Sequence, residues 1–99
     1  MKMQMLIDEM HSGNQRVIVE NINHKMPIVV MNAIIAGTRL EIRTAAFLEG
    51  VAAAAKSDTV MLGIPLSKVA TASLHLLGQR AYDGSDRVII ELIESGFNL

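Results

Sequence analysis

In the run Thr38-Arg39-Leu40-Glu41-Ile42-Arg43, charged and apolar residues alternate without a break from Arg39 onward. In an extended chain successive side chains point to opposite faces, so this run predicts a strand. Arg39, Glu41 and Arg43 would share one face, and Leu40 and Ile42 the other. Two segments of helical period follow. From Ala45 to Lys56, Phe47, Leu48, Val51, Ala52 and Ala55 form an apolar stripe at spacings of three and four, with Thr44 placed as N-cap. From Pro65 to Tyr82, Leu66, Val69, Ala70, Leu74, Leu77 and Ala81 form a second stripe, and Pro65 suits a first helical turn. Gly50 lies inside the first stripe, where glycine costs about 1 kcal/mol relative to alanine, so close packing is expected there.

The flanking segments complete an α+β reading of one domain. Residues 1–37 form an N-terminal extension of helix and strands, residues 38–82 a strand-helix-helix unit, and residues 83–99 a C-terminal helix. Met3, Leu6, Ile7 and Met10 predict a short helix stopped by Gly13-Asn14. Val17, Ile18, Val19 and Ile22 predict a strand over residues 16–22, because β-branched residues dominate it. Ile28 to Ile35 fits either a buried strand or a short helix, and its Ile-Val-Val and Ile-Ile content favours strand. Asp83-Gly84-Ser85-Asp86 offers a turn and cap for a last helix, Arg87 to Ser95, which would bury Ile89, Leu92 and Ile93 and close at Gly96.

Composition bounds the function. The 99 residues are 51% hydrophobic and 19% charged, against roughly 45–50% and about 25% in ordinary domains. The apolar surplus leads us to expect a homo-oligomer, most simply a two-fold dimer. No cysteine is present, which excludes disulfides and thiolate metal sites. The most apolar run, Met26 to Ala36, is shorter than the roughly 20 residues a membrane span needs. The opening residues lack the apolar core of a signal peptide, so a soluble cytoplasmic protein with no membrane association is expected. Net charge is −1. Between residues 38 and 80, however, five cations (Arg39, Arg43, Lys56, Lys68, Arg80) face three acids (Glu41, Glu49, Asp58), a local balance of +2.

The strand and two helices of residues 38–82 resemble the ribbon-helix-helix family of repressors and plasmid-type relaxosome DNA-binding proteins. The ending Leu76-Leu77-Gly78-Gln79-Arg80 resembles the Leu-Gly-x-Arg ending of some relaxosome members. The resemblance implies a homodimer whose paired strands enter the major groove of double-stranded DNA. Arg39, Glu41 and Arg43 would then read base edges, and the amides around Ser67 and Lys68 would hold a phosphate. Arginine suits such a role through its two-pronged donor geometry. The same three side chains also fit an ordinary solvated strand face.

A second DNA-binding pattern overlaps the first. Thr59-Val-Met-Leu-Gly63-Ile-Pro-Leu-Ser-Lys-Val69 resembles a helix-turn-helix, with Gly63 in the turn and Ser67, Lys68 and Thr71 facing the groove. Chemistry has less to work with. His11, His24 and His75 lack metal-ligand spacing, and no phosphate loop or nucleophile elbow occurs, so neither catalysis nor a metal or other cofactor is expected. Met1, Met3 and Met5 could dress an adaptable contact patch. Two functions remain open. One is a dimeric, sequence-specific DNA-binding regulator of transcription. The other is a small non-enzymatic interaction or inhibitory module that binds a protein partner.

Overall fold

The computed structural model describes residues 2–97, which form a small α+β domain. Six helices are present among the described residues: α1 (Met3–His11), α2 (Gln15–Glu20), α3 (Pro27–Arg39), α4 (Ala45–Ala54), α5 (Leu66–Leu76) and α6 (Arg87–Ser95). Between α4 and α5 lies one antiparallel hairpin, β1 (Val60–Met61) and β2 (Ile64–Pro65). Helix α3 packs against α1, α2 and α5, and α5 packs against α3, α4 and α6, so these two helices carry the core. No described helix is long and apolar enough to cross a membrane.

The strands expected over residues 16–22 and 28–35 are helices. Asn14 starts α2 by accepting the Val17 amide at 3.2 Å, and its amide donates to Glu9 Oε1 at 2.7 Å. Ile18 and Ile22 then bury at a spacing of four. Pro27 occupies the first turn of α3, and Val29, Val30, Ala33, Ile34 and Gly37 bury along one face. β-Branched content is a weak guide here, because strand propensity reflects packing more than backbone preference.

The strand expected over Thr38–Arg43 is instead the end of α3. Thr38 and Arg39 are its last two residues, and Leu40 caps it. Glu41 adopts a left-handed backbone (φ 56°). Its amide donates to Thr38 O, and the Ile42 amide reaches back to Gly37 O, both at 3.0 Å. This pair of bonds is a Schellman closure. The ends of α1 and α5 close in the same pattern with Gly13 and Gly78 in the left-handed position. Ile42 is buried as the closure's apolar anchor, whereas Leu40 is exposed. The alternation in the sequence therefore comes from a helix terminus, where Thr38 faces the core and Ile42 returns to it.

Other expectations fare differently. Helices α1 and α6 fall where their caps and stripes put them, with Asp86 as N-cap and a left-handed Gly96 closing α6. Thr44 stands at the N-cap of α4 but its hydroxyl makes no capping bond. Helix α4 buries Phe47, Gly50, Val51 and Ala54, a face turned slightly from the expected stripe. Helix α5 ends at Leu76, short of Tyr82, because Gly78 terminates it.

Two glycines set the helix spacings. A Cβ on Gly50 would meet Ile22 at 2.5 Å, and one on Gly37 would run into the Phe47 ring. Beside that contact, two buried hydroxyls join α3 to α5. Thr38 Oγ1 donates to Ile34 O at 2.6 Å, so Ser73 Oγ supplies the proton for the 2.6 Å bond between Ser73 and Thr38. We expect Gly37→Ala to destabilise the fold by about 1–3 kcal/mol in chemical denaturation. That loss would exceed the roughly 1 kcal/mol alanine gains in helix propensity. A variant as stable as wild type would refute the close packing of Phe47 on α3.

Candidate functional site

The residues singled out for DNA do not lie along one strand. Arg39 ends α3 and is exposed. Glu41 lies in the left-handed closure that follows. Arg43 folds back, donating from Nε to Leu77 O at 3.1 Å and lying 3.4 Å from Glu41 Oε1. Leu77 caps the C-terminus of α5, so the guanidinium offsets the negative end of that helix. Of the assigned phosphate contacts, the Lys68 ammonium already has a partner. Ser67 and Lys68 lie in the first turn of α5, but Lys68 Nζ pairs with Asp86 Oδ2 at 2.8 Å. In the helix-turn-helix pattern, Gly63 turns a hairpin rather than joining two helices, and Thr71 Oγ1 donates to Ser67 O at 2.7 Å.

Asp86 ties α5 to α6. Its Oδ1 accepts from the Val88 and Ile89 amides at 3.0 and 3.3 Å, while Oδ2 takes the lysine. Upstream, the Tyr82 hydroxyl accepts the Asp86 amide at 2.9 Å, and His75 Nδ1 accepts the Tyr82 amide at 2.9 Å. His75 thus holds the α5–α6 connection through Nδ1. Lys68, then the Ile89 and Val88 amides, hold the Asp86 carboxyl below its ordinary value, with burial acting in the opposite direction.

The cavities are shallow. One cleft of about 300 Å³ opens where α1, α3 and α6 end, beside His11, Arg39 and Gly96. His11 is bonded there to Asn32 Oδ1 at 2.7 Å. Helix C-termini carry partial negative charge, so basic residues in that cleft serve the helix ends. Among the described residues, no three His, Asp or Glu side chains come together as a metal site.

The feature the sequence reading passed over is the hairpin. Register pairs Val60 with Pro65 and Met61 with Ile64. Its two turn residues, Leu62 and Gly63, both have positive φ (54° and 81°), as the two-residue turns favoured in hairpins require. Asparagine or glycine normally fills the first of these positions. Here it is leucine, 85% exposed, with Val60 57% exposed beside it. The signal available in sequence was Leu-Gly between Thr-Val-Met and Ile-Pro, a two-residue turn with an unfavourable first residue. The chain matches no family model, no curated protein and no solved structure.

The Asp86 arrangement makes a pH prediction. A carboxyl whose pKa is lowered by folding stabilises the native state above its unfolded value, near 3.9, and that contribution disappears as pH falls through the folded value. Asp86→Asn keeps a capping side chain and loses the charge opposite Lys68. It should melt below wild type at pH 7, with the gap closing as pH falls below about 4. A gap of constant size down to pH 2 would refute the assignment.

Proposed function

We propose that this chain is a small non-enzymatic interaction module that engages a protein partner through the tip of its β1–β2 hairpin. One observation carries the reading. Leu62 is nearly fully exposed and sits in a left-handed backbone. The left-handed conformation costs a non-glycine residue roughly 1–2 kcal/mol, and exposure forgoes the burial that a leucine side chain otherwise gains. Both penalties act in the free chain, whereas a partner that buries the side chain offsets them. Residues that break local rules without compensation inside their own domain tend to mark functional positions.

The DNA-binding reading has less behind it. Its base-reading strand would need an extended Thr38–Arg43, the segment that closes α3, and Arg43 and Lys68 already have partners within the chain. Self-association, expected from the apolar composition, also has a narrower basis. Among the described residues, one internal core takes up most of the large apolar side chains, leaving Met3, Met5, Met26, Leu40, Val60 and Leu62 exposed.

Two measurements test the reading together. Leu62→Asn should raise the stability of the isolated chain by about 1 kcal/mol, since asparagine tolerates the left-handed region. A photo-crosslinker at position 62 should give a discrete adduct with one protein in cells, absent when the crosslinker stands at exposed Glu91 on α6. A destabilised Leu62→Asn variant, or identical adducts from both positions, would overturn it.

A further inference from the structure

Helix α4 is apolar on nearly every side, with Glu49 its one charged residue. A helix of that kind is ordinarily covered all round. Within the chain, the core covers the face that carries Phe47, Gly50, Val51 and Ala54, while Leu48 and Ala52 stay partly open. That open side forms one wall of a groove of about 250 Å³. Leu48, Glu49 and Ala52 come from α4, and the other wall is Leu74 of α5 with Gln79 and Arg80 from the turn beyond it. Arg43, just before α4, bonds Leu77 O, so α4 begins where α5 ends and the hairpin joins their opposite ends. Glu49 and Arg80 are both exposed, and among the described residues neither makes an ion pair. The groove therefore has an apolar floor, a free acid on one wall and a free base on the other.

We propose that this groove is a two-fold interface between two copies of this chain. In a two-fold contact the same patch serves both partners, so it must complement itself. A half-turn about an axis through the groove exchanges its walls. The α4 wall of one copy then lies over the α5 wall of the other, with Glu49 facing the other copy's Arg80 and Arg80 facing its Glu49. One groove supplies both ion pairs, and like charges stay on opposite sides of the axis. Leu48, Ala52 and Leu74 of the two copies close over one another, which removes the open side of α4 from water. A contact confined to one groove belongs to the weak, transient class of interface, with dissociation in the micromolar range or above. The proposal is independent of the reading of Leu62, because the hairpin contributes nothing to the groove.

Analytical ultracentrifugation of the full chain, from micromolar to millimolar concentration, tests the interface. A reversible monomer–dimer equilibrium is expected. Glu49→Arg alone sets two cations together at each contact, and Arg80→Glu alone sets two acids together. Each should weaken dimerisation roughly tenfold or more. Mixing the two variants restores opposite charges at both contacts, so the mixture should form a heterodimer about as tight as the wild-type dimer. The double variant Glu49→Arg/Arg80→Glu should recover in the same way. A chain that stays monomeric at millimolar concentration overturns the interface. So do single variants that dimerise like wild type, or a mixture and a double variant that both associate no better than the single variants. Leu62→Asn separates this proposal from the reading of the hairpin. It should leave the dimer unchanged, and its abolishing the dimer would move the contact to the hairpin and overturn the groove.

Discussion

The contact of the Phe47 ring with the bare backbone of Gly37 is the constraint from which the rest of the packing follows. It lets the Phe47 ring of α4 sit on α3 where a Cβ would collide with it. The same stretch of α3 then presents Thr38 to Ser73, so α5 docks through a hydroxyl pair buried in an otherwise apolar core. Buried hydroxyls are tolerable only when both are satisfied, and here one proton goes to Ile34 O and the other joins the pair. With α3 and α5 fixed, the α4–α5 connection must cross from one helix end to the other, and the hairpin is what that crossing leaves at the surface.

Helical period and capping chemistry were legible at α1 and α6. Asp86 before Arg87 and Gly96 after Ser95 bracket α6, and Gly13 stops α1. The losses came where two rules gave the same pattern. In Pro27–Arg39 a helix surrounded by neighbours buries almost continuously, so its β-branched residues read as a core strand. In Thr38–Arg43 a Schellman closure mimics strand alternation, because its anchor at Ile42 lies four residues beyond core-facing Thr38. Glu41 hid the closure further, since glycine is the usual residue at that position. The assignment of Arg39, Glu41 and Arg43 to one reading face depended on that strand. The helical end leaves Arg39 on α3 and pairs Arg43 with Glu41 instead.

Glu41 and Leu62 are both non-glycine residues in left-handed conformations, and comparing them sharpens the argument about function. Glu41 is compensated within the chain. Its backbone closes α3 with two bonds, its carboxylate lies near Arg43, and Ile42 buries directly after it. The cost of its conformation is met by a helix terminus that needed closing. At Leu62 the turn joins two strands of two residues each, and a two-stranded hairpin is marginal by itself in water. Its side chain touches mostly solvent, and any asparagine or glycine would turn the hairpin more readily.

That difference also places the hairpin in the stability profile of the domain. Segments with few buried contacts open first, and binding elements are drawn from that end of the range. The base of the hairpin is anchored by buried Leu66, whose amide bonds Thr59, while its tip projects beyond the core. Val60 and Leu62 lie beyond that anchor, so a partner that covers them would act at the end of the domain that opens first, away from the contact of Phe47 with Gly37.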